Sequence, residues 1–269
     1  MELPTRLPGP DRYEWNARLK PALFVVLPTF ILAAVWLPAV WTALGGLSSL
    51  FVTCGATYLL AQIARQRGRA LQKHLAGQLG PDLTMKALRH TDPTIDGETK
   101  ARYHQILRAH GRRIPTAAEE QVDPVDADGC YRACMTWLLE ATRDKKRFPL
   151  LAEENIAYGY RRNLLALKPI AVPVVLLSLA ANSAALWLHG SALDARLWTG
   201  VAVEIGMIAV AAIWLFVVRL PFVTDASAAY AVRLLACCDN LPAATRAAGS
   251  ERAAPVRTRK PTGKSGAGS

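Results

Sequence analysis

The sequence predicts an all-α membrane protein, with two transmembrane helical hairpins flanking a helical cytoplasmic domain. Three observations carry this. Two long blocks are almost free of charge, Pro and Gly with paired tryptophans punctuate the blocks, and the basic residues gather outside them. The chain has 269 residues, 52% of them hydrophobic, and a formal net charge of +11. A soluble domain of this length would spread its apolar residues in short periodic runs, whereas here they are concentrated. A basic balance can serve nucleic acid, an anionic membrane surface or topology, and beside such blocks topology comes first.

The first block, 21–64, holds no charged residue between Lys20 and Arg65. One span needs roughly 20 apolar residues, so a run of this length makes two helices and a tight turn. Leu37-Pro38 to Gly45-Gly46 is the expected turn, flanked by Trp36 and Trp41 as aromatic rings flank a membrane boundary. No polar face breaks the run, which argues against one buried helix of a soluble protein. A cleaved signal peptide would have a shorter apolar stretch. The second block, 169–218, is interrupted by His189-Gly190-Ser191-Ala192-Leu193-Asp194-Ala195-Arg196, giving spans near 169–188 and 197–218. Trp187 and Trp198 repeat the tryptophan arrangement of the first hairpin.

Lys and Arg number 4 before the first block, 19 in the segment 65–168, 8 after residue 218 and 1 in the hairpin turns. Basic residues beside the spans stay on the cytoplasmic side. Residues 1–20, the segment 65–168 and the C-terminal region are therefore expected inside, and both turns outside. Arg65, Arg67, Arg69 and Lys73 on one flank and Arg161, Arg162 and Lys168 on the other carry that assignment.

The segment 65–168 reads as helices. The second span continues as a basic helix toward Gly80-Pro81. Asp96 caps a helix that stops at Gly111, and Thr116 with Glu119 forms a capping box. Asp123-Pro124 opens a helix with Tyr131, Cys134, Trp137 and Leu138 on one apolar face. Lys145-Lys146-Arg147 is followed by Phe148-Pro149, which opens the last helix. In that helix Tyr158 and Arg162 lie four apart, where they can stack. After Pro221, Thr224 or Asp225 caps an amphipathic helix within 219–241, and 242–269, rich in Ala, Arg, Pro, Gly and Ser, is expected to be a disordered basic tail.

The stretch Glu153-Glu154-Asn155-Ile156-Ala157-Tyr158-Gly159-Tyr160-Arg161-Arg162-Asn163-Leu164-Leu165 is the most distinctive of the chain. With Arg-Phe-Pro-Leu-Leu at 147–151 before it and Leu-Lys-Pro at 167–169 after it, the region from about Arg89 to Pro169 resembles uncharacterised bacterial four-span inner-membrane proteins. The resemblance implies a bacterial inner membrane. It brings no activity and no binding residue.

Glu204 is the only acid within a span, and an ionisable group there is a functional candidate. If the second hairpin turns near Leu193, Asn182 and Glu204 are each 11 residues from the turn and share a depth. The two are expected to hydrogen-bond. Glu204 then either fixes the helix pair, lines an ion or proton path, or meets a partner.

Motifs for phosphate loops, dinucleotides, nucleophile elbows and zinc proteases are missing. His104 and His110 are six apart and do not share a helical face. Cys54, Cys130, Cys134, Cys237 and Cys238 read as reduced thiols. Asp123, Asp126 and Asp128 read as a helix start rather than a calcium loop. No catalytic, metal or cofactor residue is assigned. Contact candidates are Arg65, Arg67, Arg69, Lys73, Lys145, Lys146, Arg147, Tyr158, Arg161 and Arg162, with anionic lipid headgroups a nearer partner than nucleic acid. The first functional expectation is a non-enzymatic scaffold or accessory subunit of a membrane complex, docking a protein at its cytoplasmic domain, with a homo-oligomer a further option. The second is a conditional membrane-perturbing effector of a toxin or phage-defence kind, an analogy of layout. The third is a membrane enzyme acting on lipid.

Overall fold

The computed structural model describes residues 11–75, 79–189 and 195–242. Among them every regular element is helical. Five helices among the described residues are long and apolar enough to cross a membrane.

The first, α1 (Arg12–Trp36), begins within the segment expected to precede the span, and it contains a π-helical turn at Trp15–Leu19. A short 3-10 turn, Pro38–Trp41, reverses the chain. Thr42 then starts α2 (Ala43–His74), its side chain accepting from the Gly45 amide at 3.1 Å. The reversal is thus tighter than the sequence suggests, and Gly45 and Gly46 lie inside the helix. Gly45 is needed there, because a Cβ would sit 1.8 Å from the Ala39 carbonyl oxygen. Beyond Ala64 the helix runs on through exposed Arg65, Arg67, Arg69 and Lys73.

Four shorter helices follow. They are α3 (Pro81–Leu88), α4 (Gly97–Ala109), α5 (Ala117–Val122) and α6 (Pro124–Ala141). Their starts are set by local chemistry. Asp96 accepts from Thr99 N at 2.8 Å, Thr116 and Glu119 form a full capping box, and Asp123 accepts from Val125 N and Asp126 N. Gly111, at φ +73°, ends α4 in the left-handed region that glycine enters freely.

The spine of the molecule is α7 (Pro149–His189), 41 residues without a break through Pro169 and Pro173. At 1.5 Å per residue it is roughly 60 Å long, about twice a bilayer's hydrocarbon thickness. The loss of two amide donors is tolerated where neighbouring helices support the backbone. Packed along α7 is α8 (Ala195–Val217), which ends in a π-helical turn at Ile213–Val217. The expected turn at Leu193 lies outside the described residues, as does nearly all of the tail from 242 onward.

Last comes α9 (Leu220–Ala236). Pro221 follows directly on the bend at Val218 and Arg219 that separates α8 from α9. It occupies the first turn, where a missing amide costs nothing, and the helix starts ahead of Thr224 and Asp225.

Two cores form along α7. Leu79, Leu88, Leu107, Tyr131, Leu138, Leu151 and Tyr158 pack with Val223, Tyr230, Leu234 and Leu235 of α9. Val25, Ala64, Leu164, Leu167, Ala171, Val175, Trp214 and Val218 form the other, between α1, α2, α7 and α8. So α9, although apolar enough to span a membrane, is the helix that completes the core of the middle domain. Around the second core the surface is apolar, with Phe51 82%, Leu177 71% and Phe216 67% exposed.

The join between the cores is closely fitted. Asn163 of α7 is buried and donates Nδ2 to the Ala17 carbonyl at 2.6 Å, inside the π-helical turn of α1. Such a turn shifts the i→i−4 ladder and leaves a carbonyl open to another donor. Gly159 lets α1 approach, since a Cβ there would stand 2.8 Å from the Tyr13 hydroxyl and 3.1 Å from Ala17 Cβ. At the end of α8, Lys168 Nζ reaches the carbonyls of Leu215 at 3.3 Å and Val218 at 2.8 Å, a cation at the negative end of a helix.

Candidate functional site

The upper half of α7 carries a polar stripe on an otherwise apolar helix. Ser178 and Asn182 are one turn apart and both are buried. Ser178 Oγ lies 3.4 Å from Thr29 Oγ1 of α1. Asn182, at 0% exposure, satisfies every polar atom of its side chain. Its Oδ1 accepts from Trp36 Nε1 at 2.7 Å, and its Nδ2 donates to the Gly200 carbonyl at 2.9 Å and to Glu204 Oε2 at 2.7 Å. One amide of α7 thus ties that helix to both α1 and α8. The structure brings Asn182 and Glu204 together across α7 and α8.

Two further members carry no obvious sequence signal. Ser183 donates Oγ to Glu204 Oε1 at 2.5 Å. Trp36, expected at the membrane boundary like Trp41, Trp187 and Trp198, instead turns inward, while those three are 77%, 82% and 65% exposed. Its ring also meets His189 edge-on at 5.7 Å. Gly200 makes room, because a Cβ there would stand 2.8 Å from both Trp36 Cζ2 and Leu186 Cδ2.

The chemistry of this cluster follows from what surrounds the carboxyl. Glu204 faces an amide N–H and a hydroxyl donor, and the Asn182 oxygen is already occupied by Trp36. A bare cation needs several oxygen acceptors, and these neighbours present donors instead. The arrangement is suited to holding a carboxylate and locking three helices together.

A second polar cluster lies in the middle domain. Glu120 is buried and accepts from Tyr131 OH at 2.6 Å, His90 N at 2.8 Å and Thr91 Oγ1 at 3.0 Å. Burial alone would raise its carboxyl, but these bonds hold it below the usual range. Asp128 pairs with Arg89. Lys100 Nζ donates to the carbonyls of Arg89, at 2.6 Å, and Asp92, and burial lowers its ammonium. His104 packs edge-on against His90 at 4.8 Å and bonds the Leu88 carbonyl through Nε2 at 2.8 Å. Burial pushes it down to about 4, so it is neutral at ordinary pH. Cys134 is pushed up to about 11 by burial and is no ready nucleophile. Among the described residues no three His, Cys, Asp or Glu side chains gather to hold a metal ion.

The contact candidates divide. Arg65, Arg67, Arg69, Lys73, Lys145, Lys146 and Arg147 are exposed. Lys145 meets Asp11 at 2.5 Å, and Arg147 donates to the Asn240 carbonyl at 2.9 Å. Tyr158 is buried, stacked on Tyr230 at 6.1 Å, and so is placed in the core rather than on a contact surface. Arg162 lies over its ring at 5.3 Å and donates to Gln72 Oε1 at 2.7 Å. Arg161 stacks on Phe222 at 4.5 Å and donates to its carbonyl at 3.2 Å. Comparison with protein-family models, with curated proteins and with solved structures finds no match to this chain.

Proposed function

We propose that the chain is a four-span integral membrane protein that serves as a scaffold or accessory subunit of a membrane complex. In this reading α1, α2, α7 and α8 cross the lipid. Helices α3 to α6, the first half of α7 and α9 form a cytoplasmic docking module. The observation that carries the reading is the contrast between the helices. Four expose broad apolar faces, whereas α9 turns Val223, Tyr230, Leu234 and Leu235 into the core of the middle domain. The basic residues of α2 from Arg65 to Lys73, and Lys168 on α7, then lie on one side of the lipid, the cytoplasmic one by the positive-inside rule.

A rigid link supports the docking role. A single helix, α7, belongs to both cores, so a load on the module reaches the spans without a hinge loop. Val122 and Val125, 86% and 82% exposed, lie three residues apart across the α5–α6 junction and offer an apolar contact point. A photo-crosslinking residue at Val125 in the full-length protein, in its native membrane, should yield a discrete product with one soluble protein. Overproduction should leave a membrane-potential dye unchanged. Depolarisation on overproduction, with no crosslinked product, would replace the scaffold with a membrane-perturbing effector.

A further inference from the structure

Between the start of α1, the middle of α7 and the start of α9 lies an open groove of about 600 Å³. Its walls bring together residues that are distant in sequence. Arg12, Asn16 and Lys20 stand one turn apart on one face of α1, Tyr160 and Arg161 come from α7, and Phe222 comes from α9. Among the described residues no carboxylate pairs with Lys20 or Arg161. The one acid in the wall, Glu153, is engaged by Arg12 at 3.3 Å. The groove therefore keeps two uncompensated cations, with the Asn16 side chain beside them and an apolar floor of Ile156, Ala157 and Phe222. Arg161 is held in place by its stack on Phe222 and its bond to that residue's carbonyl, which leaves other guanidinium N–H groups unused. Lys20 is the last charge before the uncharged run of α1, and Phe222 follows closely on the end of α8, so the groove opens at the membrane boundary.

We propose that this groove binds the headgroup of an anionic phospholipid, its phosphate between Lys20 and Arg161 and its glycerol and upper acyl carbons along Ile156, Ala157 and Phe222. The inference rests on the four-span reading, since only then does the groove sit at lipid depth. Two cations with an apolar floor fit a phosphodiester attached to hydrocarbon better than a free ion, which would leave the floor uncovered. A zwitterionic headgroup brings its own ammonium to a positively charged wall.

The test uses the full-length protein purified in detergent. Native mass spectrometry reads the number and retention of added phosphatidylglycerol and phosphatidylcholine. One phosphatidylglycerol should be retained in preference to phosphatidylcholine. Lys20→Gln and Arg161→Gln should each weaken that retention about fivefold, the effect of one cation at a lipid surface. Arg143→Gln, which removes an exposed charge elsewhere, should not. Arg161→Lys should recover part of the binding. If Arg161→Gln fails to fold, Lys20→Gln, on an exposed side chain, decides the matter alone. Equal retention of both lipids, equal loss in Arg143→Gln, or displacement of the lipid by millimolar inorganic phosphate would overturn the proposal. Failure of the four-span reading would show separately, as release of the protein from membranes by alkaline carbonate.

Discussion

The indole N–H of Trp36 donates to the side-chain oxygen of Asn182 at 2.7 Å, joining residues 146 apart in the chain. This bond fixes where α1 meets α7 and α8, because the same Asn182 amide also holds Gly200 and Glu204 on α8. Replacing Asn182 with Ala leaves Trp36 Nε1, the Gly200 carbonyl and one Glu204 oxygen without that partner. The expected loss is about 1–2 kcal/mol of stability in detergent, read by thermal unfolding. Trp36→Phe removes one bond of the three and should cost less. A stability unchanged by Asn182→Ala would mean the three helices are held by apolar packing alone.

Glu204 is expected to behave as an anchor. Gln at this position can accept from Asn182 Nδ2 through its amide oxygen and donate its Nε2–H to Ser183 Oγ, whose own proton can go to the Leu179 carbonyl, so Glu204→Gln should insert and fold with a change below about 1 kcal/mol. Glu204→Lys places a cation against those two donors, at depth, and should lower the yield of folded protein sharply. The measure is the amount recovered in a single peak by size-exclusion chromatography. If Glu204→Gln instead abolishes a cation or proton flux measured in liposomes, the residue lines a path.

Two glycines of α8 separate packing from propensity. Gly200→Ala drives a methyl to within 2.8 Å of Trp36 and Leu186 and should destabilise by about 1–3 kcal/mol. At Gly206 nothing lies within 4 Å of the added methyl, so Gly206→Ala should be neutral or gain up to about 1 kcal/mol from helix propensity. The unfolding midpoint should therefore fall in Gly200→Ala and hold or rise in Gly206→Ala.

His104 predicts a pH dependence in the middle domain. Its folded value of about 4 lies below the ordinary 6.5, so the unfolded chain binds the extra proton between them. Stability should be full above about pH 6.5 and fall as pH drops toward 4, by on the order of 2–3 kcal/mol. Glu120, also depressed, adds its own loss only below its ordinary carboxylate value near 4.5. His104→Gln, which keeps a donor for the Leu88 carbonyl, should flatten the slope between pH 6.5 and 4.5 and leave the acid limb. An unaltered slope in that variant would move the dependence to another group.

Much of this architecture can be read along the chain, and the exceptions share a cause. The apolar blocks and the caps at Asp96, Thr116 and Asp123 are visible because each is decided within a few residues. The common depth of Asn182 and Glu204 follows from counting residues to a turn. The inward turn of Trp36 does not, because its partner is set by the crossing of two helices far apart in sequence. Likewise α9 shows an apolar face in sequence, but that the face closes the core of the middle domain depends on where Leu107, Tyr131 and Leu138 stand. The start of α9 at Leu220, ahead of the caps expected at Thr224 or Asp225, depends on the path of the chain out of α8.

The fate of α9 is the sharpest test of the four-span architecture. With exposed Cys54 and partly exposed Cys130 replaced by Ala, single cysteines at Leu177, Ile208 and Val232 can be probed with a membrane-impermeant maleimide in open membrane fragments. Leu177→Cys and Ile208→Cys should stay unlabelled until detergent is added, and Val232→Cys, on the exposed side of α9, should react at once. Protection of Val232→Cys equal to that at Leu177 would place α9 in the lipid, and labelling of all three without detergent would remove the spans altogether.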